Sequence, residues 1–120
     1  MKNILVVDDL SIMRMATVFP LRRAGYTVFE ASSGVSALAY MKQAEPKIDL
    51  VITDMNMPGL DGAELIRTIR MLDACKYVPV LAFSTPAYEK EMRVAGATGF
   101  IEKGLPDEQL VAVVKKLLRE

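Results

Sequence analysis

Short apolar runs that each end in a polar residue constrain the fold of this chain more than any other feature. The runs and the residues that follow them are Ile4–Val7 before Asp8 and Asp9, Leu50–Thr53 before Asp54, Val78–Phe83 before Ser84, and Phe100–Ile101 before Lys103. Runs as apolar as these are typical of strands in a parallel sheet that is covered on both faces. Parallel strands bring their carboxyl ends to one edge, where ligands of open α/β sheets bind, so these polar residues are predicted to converge.

Helical patterns alternate with strand-like runs along the whole chain. The predicted strands are Asn3–Val7, Tyr26–Ala31, Leu50–Thr53, Val78–Phe83 and Thr98–Glu102. The predicted helices are Ser11–Ala24, Ser33–Ala44, one capped by Asp61 with Glu64 in a capping box, a short one at Pro86–Val94, and one that begins near Pro106. The alternation predicts an α/β fold: a parallel sheet with helices on both faces, in a single domain over residues 1–120.

The spacing of apolar residues also predicts which side of each helix faces the sheet. The predicted inward residues are Ile12, Met15, Ala16 and Phe19 in the first helix, and Val35, Leu38 and Met41 in the second. In the third helix they are Leu65, Ile66, Ile69 and Leu72, and in the fourth they are Ala87, Met92, Val94 and part of Tyr88. Pro20 lies inside the first helix, where it cannot donate a hydrogen bond to the Ala16 carbonyl. We therefore expect that helix to bend at Pro20 or to end early.

Composition excludes several classes of function. The 15 basic and 15 acidic residues leave a formal net charge of zero, so nothing predicts binding to nucleic acid or to an acidic membrane surface. No apolar run approaches the ~20 residues of a membrane span. Cys75 is the only cysteine, which rules out an internal disulfide and favours a reducing, cytoplasmic location. The chain has no histidine, which excludes His-based zinc sites and serine-histidine triads.

The predicted site combines three carboxylates with a lysine and a hydroxyl. Asp8, Asp9 and Asp54 would repel one another unless a cation lies between them, and Mg²⁺ prefers such oxygen ligands together with a substrate phosphate. Lys103 adds a point charge for a phosphoryl oxygen, and Ser84 adds a hydroxyl donor. The combination indicates phosphoryl transfer, with Asp54 as the candidate nucleophile that forms an aspartyl phosphate.

The chain resembles the CheY-like response-regulator receiver domains over essentially its whole length. The matching segments are Val6–Asp9, Ser11–Arg14, Ala31–Gly34, Asp54–Gly62, Pro79–Ser84, Gly96–Phe100 and Lys103. The segment Asp9–Arg14 is similar to the stand-alone chemotaxis branch in particular. The resemblance implies the flavodoxin-like strand order 2-1-3-4-5, for which CheY is a standard example.

The resemblance also assigns roles to the residues of the site. It implies that Asp54 accepts a phosphoryl group from a histidine kinase. Asp9 would ligate Mg²⁺ directly, Asp8 would help through water, and the backbone carbonyl of Asn56 would be a further metal ligand. Lys103 would pair with the phosphoryl oxygens. The protein would catalyse only its own phosphotransfer and autodephosphorylation, so it is not expected to be an enzyme in the ordinary sense.

A two-residue switch is implied as well. Ser84 would move toward the phosphate and Phe100 would turn into the space that Ser84 leaves. The signal would then pass to an unidentified downstream protein through the face formed by the fourth helix, the fifth strand and the fifth helix. This chain departs from the family where Gly104 replaces the usual proline, where Phe100 offers no hydroxyl, and where the fourth helix is about one turn short.

Two other functions remain possible at this stage. A degenerate receiver would dock partners without being phosphorylated, although the complete set of acid, hydroxyl and lysine argues against it. A Mg-dependent phosphohydrolase would use Asp54 as its nucleophile, but such enzymes generally place a second acid two residues later, where this chain has Asn56. Each residue taken alone also has a structural interpretation, as a helix cap, a turn residue or a solvated charge.

Overall fold

Five parallel strands form the centre of the computed structural model, which describes residues 2–120. They are β1 (Asn3–Val7), β2 (Thr27–Ala31), β3 (Leu50–Thr53), β4 (Val80–Ser84) and β5 (Gly99–Glu102). Their order across the sheet is β2-β1-β3-β4-β5, and all four neighbouring pairs are parallel. The predicted strand order and the parallel sheet are both confirmed.

Four α-helices connect the strands, and a fifth follows β5. They are α1 (Ser11–Arg23), α2 (Gly34–Lys42), α3 (Gly62–Met71), α4 (Glu89–Ala95) and α5 (Asp107–Leu117). A single 3₁₀ turn, Pro86–Tyr88, precedes α4. The helix predicted at Pro86–Val94 is therefore a 3₁₀ turn followed by only seven α-helical residues, and the expectation of a shortened fourth helix is confirmed.

The sheet separates two apolar cores, as expected of a doubly wound fold. Residues of α2, α3 and α4 pack on one face of the sheet, around Met41, Ile66 and Met92. Residues of α1 and α5 pack on the other face, around Leu21 and Val114. With both faces covered, the strands expose only their ends, and the polar residues at those ends are the ones available for chemistry.

The rotation of α1 differs from the prediction. The predicted inward residues Ile12 and Phe19 are 80% and 54% exposed, and the inward side carries Thr17, Val18 and Leu21 instead. The apolar spacing failed because α1 has apolar residues on two sides, so periodicity alone could not choose between them. Arg14 sets the rotation, because its guanidinium donates to the Asp8 carbonyl at 2.7 Å and to Glu30 at 2.9 Å.

Smaller corrections apply to other helices. Of the two outcomes expected at Pro20, the early end of α1 is wrong, because the helix continues to Arg23 with Pro20 buried. A bend at Pro20 stays a prediction. Val35 of α2 and Val94 of α4 were predicted to face inward but are 71% and 79% exposed. Ala87 is also exposed, and α4 buries Met92 and Ala95. In the short elements α2 and α4, one or two large side chains determine the rotation, and the remaining apolar residues stay outside.

Candidate functional site

The parallel ladder places the two main aspartates side by side at the carboxyl edge of the sheet. Val7 of β1 is paired with Thr53 of β3, so the residues that follow them, Asp8 and Asp54, leave adjacent strands at the same level. The ladder extends one step further, because the Asp54 N–H donates to the Val7 carbonyl at 3.1 Å. Backbone hydrogen bonds therefore fix the position of the site before any side chain contributes.

Three carboxylates and one ammonium group meet at this edge. Ligand oxygens of Asp8, Asp9 and Asp54 all lie within 4.8 Å of one another. The Lys103 Nζ atom is 3.0 Å from Asp54 Oδ2 and 3.2 Å from Asp8 Oδ2. The convergence predicted from the sequence is confirmed for these four side chains. The lysine offsets one of three negative charges, so the pocket remains electronegative when the carboxylates are ionised.

Each of the two central carboxylates uses one oxygen for the backbone and the other for Lys103. Asp54 Oδ1 accepts from the Met55 N–H at 2.7 Å, and Asp8 Oδ1 accepts from the Leu10 N–H at 3.0 Å. The backbone donors are fixed, whereas the lysine ammonium is at the end of a flexible chain. Lys103 can move away from the Oδ2 atoms, so these are the oxygens of Asp8 and Asp54 that are available to a ligand.

Two residues that received no role from the sequence support the site. Gly62 lies at the start of α3, where a Cβ atom would come within 2.1 Å of the Asp54 carbonyl oxygen, and its N–H donates to the Met55 carbonyl at 2.8 Å. Arg14 donates to the Asp8 carbonyl from α1. Both residues belong to segments that resemble the family, but their roles depend on contacts between distant elements.

Ser84 and Lys103 are linked through the backbone of β4 and β5. Ser84 ends β4, is 2% exposed, and its carbonyl accepts from the Lys103 N–H at 3.0 Å. The Lys103 Nζ atom also lies 5.8 Å from the centre of the Phe83 ring. Phe100 lies on β5 opposite Ala82, half-buried against the α3–α4 side of the sheet. Ser84 and Phe100, the two residues expected to form a switch, thus lie on neighbouring strands.

The loop after Lys103 has a shape that requires glycine. Gly104 has φ +90°, a conformation that residues with side chains rarely adopt, and the peptide bond before it is trans. Proline, whose φ is fixed near −65°, could not occupy this backbone. The lysine nevertheless reaches both aspartates, so the loop change leaves the ion pairs in place.

The donor set suits a hard divalent cation. Mg²⁺ takes oxygen ligands and keeps several waters, and three carboxylates within this distance provide such ligands without a closed protein cage. The side chain of Asn56 is exposed in the loop after β3. Participation of the Asn56 carbonyl in metal binding stays a prediction.

The class defined by this sheet and its acidic edge is the receiver module of two-component signalling. The model of the response regulator receiver domain family matches residues 4–115, so the chain belongs to that family. Within the family it is CheY-like, in agreement with the resemblance found in the sequence.

Individual relatives support this assignment. The chain is 38% identical over 105 residues to chemotaxis protein CheY-3 of Vibrio cholerae, covering 84% of this chain and 79% of the relative. It is 34% identical over 119 residues to the sensor kinase CckA of Brucella abortus, covering 98% of this chain but only 13% of that protein. The structure of the chemotaxis response regulator CheY4 of Vibrio cholerae matches with a TM-score of 0.89 at 33% identity, covering 98% of both chains.

The region similar to this chain makes up most of CheY-3 but only a small part of CckA. Among residues 2–120, none of the helices combines the length and apolar character needed to cross a membrane.

Proposed function

We propose that this protein is a phosphorylation-activated switch of a two-component system, in which Asp54 accepts a phosphoryl group from a histidine kinase. The observation that carries the proposal is the ion pair between Lys103 Nζ and Asp54 Oδ2 at 3.0 Å, inside a cluster of three carboxylates. A lysine that serves only to neutralise an acid would not need two further aspartates around it. The excess of negative charge favours a bound divalent cation, and that cation together with Lys103 would attract the anionic phosphoryl group.

The hydrogen bonds of Asp54 support one of its oxygens as the attacking atom. Oδ1 of Asp54 is held by the Met55 N–H at 2.7 Å, so Oδ2 is the oxygen that attacks phosphorus. An O–P bond forms as the N–P bond to the kinase histidine breaks, and the leaving imidazole nitrogen takes up a proton from solvent. Lys103 leaves Oδ2 and moves to a phosphoryl oxygen, a short displacement for a flexible side chain.

Asp8, Asp9 and Asp54, with the carbonyl of Asn56, would hold the metal. When bound, Mg²⁺ neutralises charge on the phosphoryl oxygens and so lowers the barrier to transfer. Asp8 and Asp54 share Lys103, so Asp9 is the carboxylate of the cluster best placed to give a direct ligand. Neighbouring backbone donors hold Asp8 and Asp54 in orientation before the metal and the donor arrive.

The output of the switch is a change in partner binding. Ser84 is drawn toward the phosphoryl group, and Phe100 of the neighbouring strand fills the space that it leaves, because close-packed interiors tolerate voids poorly. Both residues lie on strands that contact α4, so the face formed by α4, β5 and α5 would change and meet a downstream protein. The single cysteine supports action in the cytoplasm, and the zero net charge gives no support for nucleic-acid binding by this domain.

The test of the acceptor is phosphate incorporation from acetyl phosphate in the presence of Mg²⁺. The variant Asp54→Asn should incorporate none, because the amide is not a nucleophile. Asp73→Asn is the matched control, since its parent side chain is 97% exposed and carries the same change of charge. Stoichiometric labelling of Asp54→Asn would refute the assignment, and an unlabelled parent protein would instead favour a docking module that works without phosphorylation.

The parent protein and Asp54→Asn also distinguish a signalling switch from a phosphohydrolase. Steady release of phosphate from phosphate esters by the parent protein, lost in Asp54→Asn, would indicate a phosphohydrolase. We expect one phosphoryl group per chain and no turnover of esters, because the position two residues after Asp54 carries Asn56, an amide that cannot act as a general acid.

The test of the switch is the coupling of Ser84 to Phe100. In Ser84→Ala, beryllofluoride with Mg²⁺ should still bind at Asp54, but the NMR signals of the Phe100 ring should remain at their resting positions. Movement of the ring signals as in the parent protein would show that the two residues act independently.

A further inference from the structure

Within residues 2–120, Asp9 is the one carboxylate of the acidic cluster that accepts no hydrogen bond. Asp8 and Asp54 each accept from a backbone N–H, and each pairs with Lys103. Asp9 is half-buried in the loop between β1 and α1, and it is the carboxylate best placed to give Mg²⁺ a direct ligand. The direction of its side chain therefore depends on the backbone that carries it.

That backbone is held at the peptide bond between Asp8 and Asp9. The Asp8 N–H donates to the Ala31 carbonyl at 3.1 Å, and the Asp8 carbonyl accepts from Arg14 Nη1 at 2.7 Å. The Asp8 carbonyl oxygen and the Asp9 N–H belong to one rigid plane. Because Arg14 holds one atom of this plane, it limits the rotation that would turn Asp9 away from the cluster.

Glu30 in turn holds Arg14. Its Oε1 atom accepts from Arg14 Nε at 2.9 Å, and the Arg14 side chain is only 17% exposed. Glu30 belongs to β2 and is paired in the sheet with Val6 of β1, so the ladder sets its position. The planar guanidinium donates from Nε to Glu30 and from Nη1 to the Asp8 carbonyl, and its rigid shape fixes one acceptor relative to the other.

Charge alone predicts the opposite effect of Arg14. The guanidinium lies beside a cluster that would bind a divalent cation, and like charges repel, so removing Arg14 should strengthen Mg²⁺ binding on electrostatic grounds. Glu30 offsets this repulsion in part, through the same ion pair that holds the guanidinium. A weaker metal site on loss of Arg14 can therefore come only from the geometry that Arg14 imposes.

We propose that Arg14 and Glu30 are positioning residues for magnesium, which aim the Asp9 carboxylate into the cluster by fixing the peptide plane that precedes it. The inference rests on the proposed function, because it requires Asp9 to bind Mg²⁺. Residues that orient metal ligands without touching the metal commonly change metal affinity by about 10- to 100-fold when they are replaced. The inference therefore predicts a loss of Mg²⁺ affinity in a variant that keeps all three carboxylates.

Titration of the metal-free protein with Mg²⁺, followed through the amide NMR signals of the site, tests the proposal. Arg14→Met keeps an unbranched stem but has neither donor nor charge, and its dissociation constant for Mg²⁺ should be about ten-fold higher than that of the parent. Arg22→Met is the matched control, because Arg22 also pairs with Glu30, at 3.6 Å, but donates to the Val28 carbonyl, away from the cluster. It loses the same charge and should bind Mg²⁺ at least as tightly as the parent.

A second pair of variants tests Glu30 with the change of charge held equal. Glu30→Gln keeps an oxygen that can accept from Arg14, whereas Glu30→Met has none, and both lose one negative charge. Glu30→Met should therefore bind Mg²⁺ several-fold more weakly than Glu30→Gln. If Arg14→Met does not fold, as judged by circular dichroism and thermal melts in EDTA, this pair decides alone.

The titrations separate failure of the inference from failure of the proposed function. Mg²⁺ binding by Arg14→Met as tight as in the parent, or an equal loss in Arg14→Met and Arg22→Met, would overturn the inference and leave the proposed function intact. Equal binding by Glu30→Gln and Glu30→Met would overturn the part assigned to Glu30. A parent protein that binds no Mg²⁺ would overturn the metal site itself, and this inference with it.

Discussion

Helices α3 and α4 cover the same face of the sheet, yet they are built very differently. α3 has ten residues, begins with a capping box between Asp61 and Glu64, and buries Leu65, Ile66 and Ile69 completely. α4 has seven residues, no side-chain hydrogen bond at its N-cap Tyr88, and one large buried side chain, Met92. Isolated helices of either length are marginal, so packing and caps decide how firmly each is held.

The difference follows the position of each helix relative to the site. α3 begins at Gly62, in contact with the Asp54 backbone, and so holds the proposed acceptor in place. α4 lies beyond Ser84, on the side that the proposed switch would change. Its C-terminal end is held by Arg70 of α3, which donates to the Gly96 carbonyl at 2.8 and 3.0 Å. The fold thus combines a fixed acceptor with a cover that is attached mainly at one end.

The largest expected effect is on hydrogen exchange of the resting protein. Amides of Glu89–Ala95 should exchange about a hundred-fold faster than those of α3, equivalent to about 3 kcal/mol lower free energy of local opening. The reason is that Met92 is the only large apolar side chain that α4 buries. Protection of α4 equal to that of α3, measured by amide exchange NMR, would remove the contrast between the two helices.

The next largest effect is expected at the start of α3. Gly62→Ala should lower the free energy of unfolding by about 3 kcal/mol, because the new Cβ would collide with the rigid backbone at Asp54. Gly99→Ala is the control, since a Cβ there meets only the ends of leucine side chains at 3.6 Å or more. Urea denaturation of both variants measures the difference, and a loss below about 1 kcal/mol for Gly62→Ala would contradict the rigid placement of α3.

The smallest expected effects on stability come from the N-terminal caps of α3 and of the turn before α4, which differ. Asp61→Ala should cost about 1 kcal/mol, because the Asp61 carboxylate accepts from the Glu64 N–H at 2.8 Å. Thr85→Ala should change stability by less than about 0.5 kcal/mol, because Thr85 makes no side-chain cap hydrogen bond at the turn before α4. Equal costs in thermal melts would show that both starts are capped alike.

The sequence was sufficient to predict the acidic site because strand order and direction determine it. Once β1, β3 and β5 are parallel, Asp8, Asp54 and Lys103 must emerge at one edge, whatever their side chains do. The cap of α3 could also be predicted, since Asp61 and Glu64 interact across three residues.

The rotation of the helices could not be predicted in the same way. On α1, two apolar stripes compete, and hydrogen bonds of Arg14 to Glu30 of β2 and to the Asp8 carbonyl decide between them. The importance of Gly62 was hidden for the same reason, because it depends on how closely α3 approaches the loop after β3. Local patterns report a helix and its caps, whereas contacts between distant segments determine which side is buried.

The glycine after Lys103 has a consequence for engineering. Stabilisation by consensus replaces an unusual residue with the one most frequent among relatives, and the family resemblance implies that this residue is proline at position 104. Proline holds φ near −65°, whereas Gly104 has φ +90°, so the consensus residue cannot occupy the existing backbone. In this chain the consensus substitution would therefore destabilise the loop that carries Lys103, and position 104 should be left out of any such library.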